Sequence, residues 1–420
     1  MPNRDRDYDI VLFGATGFTG KLVADYLATT SRARGGTLRW AIAGRNKSKL
    51  EGVRNDLVAI DPALAELPIL VADGHDTGAL EEIVPKTRVI CTTVGPFAQH
   101  GKRLVASCAK NGTHYCDITG EVPFIRHSID ENHERALETR ARIVHCCGFD
   151  SIPSDLGVHI LWDDVRKAGG TLDWAKGFVG EMSGTASGGT AATMLAIVEE
   201  ATRDSKVRRL LGNPHGLDPT VPRGRNRDPF EIDPKGVHFD RDIDRWTAPF
   251  VMAMINTRIV RRSNALLGYG DAFRYREVMS LPKGPKGFVA ATVVAAGMAG
   301  FAIGAALPPT RALLARYVLP KAGEGPSKEA RDRGHFTLRF VAEGTEEGGR
   351  SFRATATVKG TSDPGYGETA KMLGESAMCL ALDGPSLEKR FGVLTPASAM
   401  GMHLVTRLRA AGMTFDVSRA

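Results

Sequence analysis

The sequence predicts an α/β protein. Its N-terminal part reads as a doubly wound parallel sheet, and its second part as an α+β domain containing antiparallel strands. Three observations carry this. Residues 8–147 alternate short apolar strands with segments of helical period. The apolar run 10–13 enters Gly14-Ala15-Thr16-Gly17-Phe18-Thr19-Gly20, so a buried strand meets a glycine turn that opens a helix. Segments 336–342 and 351–359 alternate apolar and polar residues around a Glu-Gly-Thr-Glu-Glu-Gly-Gly stretch, the pattern of a hairpin.

In chain order, 8–13, 38–43, 68–72, 88–94, 115–118 and 142–147 read as strands. The segments 19–28, 47–59, 79–84, 101–111 and 125–139 read as helices, the first with Leu22, Val23, Tyr26 and Leu27 on one face. Gly95-Pro96 stops the fourth strand, and Gly112 closes the fourth helix. Beyond Phe149 the rhythm changes. Residues 204–250 are rich in proline, glycine and charge and read as a long irregular insert, a lid or an interaction loop. Helices at 368–382 and 396–411 close the chain. The expected domains are 1–155, 156–390, and a segment 391–420 that returns to the first.

A chain of 420 residues has room for two or three domains, and its 42% hydrophobic and 25% charged residues are those of an ordinary globular protein. The net charge of +7 is mildly basic and spread out, with no lysine-rich tail and no aromatic-interleaved basic stripe. This argues against nucleic-acid binding and fits acidic small ligands, an acidic carrier protein or an anionic membrane surface. The six cysteines form no Cys-x-x-Cys pair and several sit inside apolar runs, as reduced core cysteines of a cytoplasmic protein would. The charged N-terminus runs into the first strand and leaves no room for a signal peptide.

The glycine turn is spaced Gly-x-x-Gly-x-x-Gly, and it removes side chains where backbone must approach a pyrophosphate. Gly14, Ala15, Thr16, Gly17, Phe18, Thr19 and Gly20 are therefore candidate cofactor residues in a Rossmann-type fold. The second strand ends Ala43-Gly44-Arg45-Asn46, where an acid would select NAD by accepting from the ribose 2′-hydroxyl. Arg45 instead suits the 2′-phosphate of NADP, with Asn46 beside it. The turn Thr93-Val94-Gly95-Pro96-Phe97 ends the fourth strand and should border the nicotinamide half. Asp73, at the end of the third strand, reads first as a cap of the segment that follows it, with contact to the adenine as the alternative. His75 between Asp73 and Asp76 reads as part of a polar turn, and no metal site is expected.

Several segments now point one way. Gly-Ala-Thr-Gly-Phe-Thr-Gly-Lys-Leu, Ala-Gly-Arg-Asn, Thr-Val-Gly-Pro-Phe, Tyr115-Cys-Asp-Ile-Thr-Gly-Glu121 and Cys147-Gly-Phe-Asp-Ser-Ile-Pro-Ser-Asp155 follow in order. With Asn256-Thr-Arg-Ile-Val-Arg-Arg-Ser-Asn264 and Gly392-Val-Leu-Thr-Pro-Ala-Ser-Ala-Met-Gly401, they resemble the saccharopine dehydrogenase-like oxidoreductases, and within them the bacterial trans-acting enoyl reductases. The resemblance implies an NADP-binding Rossmann domain, an inserted α+β domain and a C-terminus that returns to the first domain. It also implies reduction of an enoyl group during assembly of polyketide-derived lipids of the phthiocerol dimycocerosate and phenolic glycolipid kind. The substrate would be an acyl-lipid or carrier-bound enoyl chain, with a polyketide synthase as partner.

Such a reaction needs a positioned nicotinamide, a polarised carbonyl and a proton for the α-carbon. Proton-donor candidates near the carboxyl ends of strands four to six are His100, Tyr115, Asp117, Glu121 and Asp150. Solvent is the alternative donor. Two other functions compete: imine or amino-acid oxidoreduction, with Arg258, Arg261 and Arg262 as an anion clamp, and a non-catalytic NADP-binding, lipid-associated protein. Finally, residues 287–307 carry no charge and would reach about 30 Å as a helix. They read as a helix or helical hairpin that dips into or lies on a membrane. A buried or homodimer interface and a true span are the other readings.

Overall fold

The computed structural model describes residues 6–184, 188–218, 228–314 and 325–419. In chain order, the first stretch holds β1 (Tyr8–Phe13), α1 (Phe18–Ala33), β2 (Trp40–Gly44), α2 (Lys47–Val58), β3 (Ile69–Val71), α3 (Thr77–Ile83), β4 (Thr87–Thr92), α4 (Phe97–His100), α5 (Lys102–Asn111), β5 (His114–Asp117), α6 (Val122–Thr139) and β6 (Arg142–Val144). The middle holds α7 (Ile152–Lys167), β7 (Thr171–Ser183), α8 (Gly188–Arg203), α9 (Ser205–Leu211), β8 (His238–Asp240), β9 (Arg245–Ala248), α10 (Ala253–Leu267), β10 (Arg274–Leu281), α11 (Gly284–Ala306), α12 (Pro308–Leu313), α13 (Lys328–Asp332), β11 (His335–Thr345) and β12 (Ser351–Gly360). The chain ends with α14 (Thr369–Leu382), β13 (Gly392–Leu394), α15 (Pro396–Ala410) and β14 (Thr414–Arg419).

Two compact units result. The first comprises Met1–Phe149, Ala322–Pro326 and Gly365–Ala411; the second comprises Asp150–Lys321, Ser327–Pro364 and Gly412–Ala420. The return to the first unit thus begins at Gly365, where the sequence reading placed it at 391.

The first unit is built on a parallel sheet in the order β13-β6-β5-β4-β1-β2-β3. Its strands are near-continuous apolar runs because helices cover both faces; Ile10, Val11 and Leu12 are fully buried. Strand β1 pairs in parallel with β2 on one side and β4 on the other. The chain order reverses there, and this opens a crevice beyond the carboxyl ends of β1 and β4. Helix α14 packs over β1, β4 and β5 and against α1. Gly374 makes that approach possible, since a Cβ there would lie 2.6 Å from Cδ1 of Tyr26. The edge strand β13 was not read from the sequence; three residues carry too little pattern to separate from a loop.

The second unit is a mixed sheet in the order β14-β12-β11-β7-β10-β9-β8. Only β7 and β10 pair in parallel. The expected hairpin is β11–β12, antiparallel from Phe336↔Gly360 to Thr345↔Ser351. Helix α7 seats directly on this sheet, because a Cβ at Gly157 would lie 2.4 Å from the Phe340 ring.

The region read as an irregular insert is more ordered than expected where it is described: it contains α9, β8 and β9, while 219–227 lie outside the described residues. The reason is α10. Arg258 donates to the Leu211 carbonyl and pairs with Asp233. Arg261 donates to the carbonyls of Pro214, Glu231 and Tyr275, and Arg262 to that of Leu217. All three arginines are buried. They staple loop carbonyls, which removes them as an anion clamp open to a substrate. The 287–307 stretch is one continuous helix, α11, and so not a hairpin.

Candidate functional site

The crevice of the first unit is shaped by glycine. Gly14 sits at φ +95°, a backbone that L side chains rarely adopt, and a Cβ there would lie 2.5 Å from Cγ2 of Val94. A Cβ at Gly20 would lie 2.1 Å from the Gly14 carbonyl oxygen, so only glycine lets α1 start against the end of β1. Gly17 differs. It is exposed, it caps α1 without a side-chain hydrogen bond, and a Cβ there would meet only the Gly14 oxygen, at 3.5 Å. Space therefore lies beside the first-turn amides of α1, which have no acceptor within the helix and favour an anion.

The turn is braced from both sides. The Gly14 amide donates to the Ala43 carbonyl at 2.8 Å, and the Thr93 amide to the Phe13 carbonyl at 3.1 Å. The Thr93 hydroxyl donates to the Gly14 carbonyl at 3.2 Å. Arg45, at the end of β2, is exposed and makes no hydrogen bond or ion pair among the described residues. Asn46 is occupied locally: its side chain caps α2 by accepting from the Lys49 amide at 2.9 Å. The crevice thus fits a dinucleotide. Gly14–Gly20 would hold the pyrophosphate, Arg45 the 2′-phosphate, and Thr93–Phe97 would border the cofactor from β4.

The proton-donor candidates fall into different places. Tyr115 and Asp117 are fully buried on β5. The Tyr115 hydroxyl donates to Asp117 Oδ2 at 2.9 Å, and His145 Nδ1 lies 2.8 Å from the same oxygen. Asp117 Oδ1 accepts from the amides of Thr119 and Cys146, at 3.1 and 3.2 Å. Cys146 has φ +62°, so Asp117 holds the exit of β6 in a left-handed turn. Burial, and then the adjacent Asp117 charge, push the Tyr115 hydroxyl well above its ordinary pKa. Glu121 is buried, and its carboxylate accepts from the amides of Phe97 and Ala98, both at 2.7 Å. It fixes the start of α4, just after the Gly95–Pro96 turn. His100 pairs with His75, Nδ1 to Nε2 at 2.8 Å. The turn that follows β3 thus meets the end of α4, and a Cβ at Gly74 would lie 3.3 Å from the His100 carbonyl oxygen. Asp73 accepts from the His75 amide and Asp76 from the amides of Gly78 and Ala79, so both acids make the polar turn. Asp150 is half-buried and opens the second unit, directly after Phe149.

One part of this crevice escaped the sequence reading. Residues 364–369, Pro-Gly-Tyr-Gly-Glu-Thr, lead into α14. The Tyr366 ring meets the Phe18 ring edge-on at 4.8 Å. The Thr369 hydroxyl accepts from the Phe149 amide at 3.1 Å. The signal available was the aromatic flanked by glycines ahead of an apolar helix.

Residues 10–144 match the family described as the saccharopine dehydrogenase NADP binding domain. A Mycobacterium tuberculosis protein whose name gives trans-acting enoyl reductase as a provisional activity is 43% identical over 433 residues, covering 100% of this chain and 99% of that one. The trans-acting enoyl reductase of Mycobacterium bovis is 40% identical over 441 residues, covering 100% of both chains. The chain belongs to the trans-acting enoyl reductase family. It carries an NADP-binding domain, and it is an NADP-dependent oxidoreductase. Apo saccharopine dehydrogenase from Saccharomyces cerevisiae superposes with a TM-score of 0.55 over 98% of this chain and 99% of that one, at 13% identity. That likeness is one of fold.

Proposed function

We propose that the protein reduces the carbon–carbon double bond of an enoyl chain with NADPH, acting in trans on a lipid-like or carrier-bound intermediate made by a polyketide synthase. The observation that carries this reading is the full-length similarity to relatives named trans-acting enoyl reductases, together with a crevice whose exposed Arg45, unpaired among the described residues, suits a 2′-phosphate. Bound NADPH supplies the hydride. The Gly14–Gly20 turn and the start of α1 hold the cofactor's phosphates, and Glu121 sets the backbone of the Thr93–Phe97 turn beside it. Tyr115 and Asp117 act as positioning residues, because their polar atoms are engaged with one another and with the β6 exit.

Asp150 is the proposed proton donor. It is half-buried, and it follows β6 in the chain, directly after Phe149. A positioned acid contributes about 10²–10⁴ in rate, so Asp150→Asn should lower kcat by that factor and leave NADPH affinity unchanged. The proposal extends to lipid biosynthesis and to contact of α11 with a membrane surface, which suits an acyl substrate. Its test is NADPH consumption by the purified full chain on an enoyl thioester. Turnover supports it. NADPH binding without turnover on enoyl substrates, accompanied by turnover on an imine formed from an amino acid and a keto acid, would replace it with the saccharopine dehydrogenase type of reaction.

A further inference from the structure

Helix α11 is the one helix among the described residues long and apolar enough to cross a membrane by length and composition, yet it is built to lie on one. Only Gly287, Ala291 and Ala305 are buried. Val289, Val293 and Ile303 are 59%, 66% and 66% exposed. Around the helix at 100° per residue, the exposed positions from Phe288 to Ile303 occupy more than half of the circumference. The remaining arc rests on the protein. A Cβ at Gly287 would lie 3.2 Å from Cδ1 of Trp246, and one at Gly304 3.4 Å from Leu314. Arg311 folds back toward the Ala305 carbonyl and pairs with Glu199 of α8. A helix fastened along one side cannot be ringed by lipid, which removes the span reading.

The exposed arc holds no unsatisfied polar group. Its one hydroxyl, Thr292, donates to the Phe288 carbonyl at 2.9 Å. Its N-terminal end carries the residues of a membrane boundary. Phe239, Trp246 and Phe288 stack edge to face, at 5.2 and 4.9 Å. Around them stand exposed Arg241, Arg245, Lys283 and Lys286. The nearby acids are already engaged: Asp240 and Asp242 by Lys176, Asp242 also by Arg353, and Asp244 by Lys283. Aromatic rings at the level of the headgroups and basic side chains beside anionic phosphates are how an interfacial helix is held.

We infer that the exposed arc of α11 inserts into one leaflet of an anionic phospholipid membrane, with Phe239, Trp246, Phe288 and the four basic residues at the headgroup level. The inference rests on the membrane part of the proposed function and adds to it the lipid charge, the depth and the residues.

The experiment is flotation of the full-length protein with phosphatidylcholine vesicles, with and without phosphatidylglycerol. The wild type should float with the anionic vesicles. Val293→Asp with Ile303→Asp should cut vesicle partitioning roughly a hundredfold while leaving the circular dichroism unchanged, because both sites face outward. Arg241→Gln with Lys286→Gln should lower anionic-vesicle binding about fivefold per residue and leave neutral-vesicle binding unchanged. Equal flotation of wild type and the aspartate variant overturns the inference. So does a wild type that binds neither vesicle and elutes as a dimer that the aspartate variant splits, since the arc would then belong to a homodimer. NADPH turnover on a short water-soluble enoyl thioester, measured in the same preparations, reads the reaction separately from the membrane contact.

Discussion

Gly17→Ala separates a cofactor turn from a merely tight one. Three glycines shape the β1–α1 crossing, and the structure gives them different jobs. Gly17 has φ −75° and ψ 164°, a conformation open to alanine, and its added methyl would find one neighbour, at ordinary contact distance. The substitution should therefore change folding stability by less than about 1 kcal/mol. The same methyl fills the space beside the first-turn amides of α1. Losing one charge-assisted hydrogen bond from that approach costs about 1.5–3 kcal/mol, so the Kd for NADPH should rise about 10- to 150-fold. Gly20→Ala is the contrast. Its methyl would press on backbone at 2.1 Å, and overpacking of that kind costs about 1–3 kcal/mol or more before any ligand is added. Calorimetric titration with NADPH, beside urea denaturation of each variant, gives both quantities. A Gly17→Ala protein that folds normally and binds NADPH with the wild-type Kd would refute the reasoning, because the glycine would then serve only the turn.

Arg45→Ala should weaken NADPH ten- to a hundredfold and leave NADH binding unchanged, since its guanidinium has no other partner among the described residues; equal losses for the two cofactors would remove it from the 2′-phosphate. Tyr115→Phe should lower stability by about 1–2 kcal/mol, through one lost bond to Asp117, with kcat within a few-fold of wild type; a hundredfold loss of kcat without destabilisation would make Tyr115 the acid. His159 of α7 packs beside Trp162 and Tyr269, and burial lowers its pKa from 6.5 to about 4. The unfolded chain takes up a proton below pH 6.5 that the folded chain refuses until about pH 4. Stability therefore falls with pH across that window, by up to roughly 3 kcal/mol from this group. His159→Phe should flatten the fall in urea-denaturation midpoints between neutral pH and about pH 5; an unchanged slope would contradict it.

What the sequence made legible was whatever repeats locally. Strands β1–β6 of the first sheet and the β11–β12 hairpin follow from apolar period, and Gly14–Gly20 follows from spacing. The rest depends on partners distant in the chain. Asp117 looks like a catalytic acid until His145 and the Cys146 amide are seen to occupy it. Glu121 looks the same until it is found accepting from two amides that precede it by more than twenty residues. Arg258, Arg261 and Arg262 read as an anion clamp from their charge, and only the fold brings the carbonyls of 211–217 to them. The return to the first unit was expected from 391, but its start at Gly365, with Tyr366 at Phe18, was not legible for the same reason. The apolar stretch was legible as a long uncharged helix, but its one-sided packing on Trp246 and α8 was not.

The measurement that bears most directly on the proposed activity follows the hydride itself. The full-length protein is supplied with NADPH deuterated at the transferred position of nicotinamide C4 and with a carrier-bound enoyl chain, and the product is examined by mass spectrometry. An enoyl reductase places one deuterium on the β-carbon of a saturated acyl chain and takes the α-hydrogen from water. An acyl chain recovered unsaturated and free of deuterium, from a protein shown to bind NADPH, would contradict it.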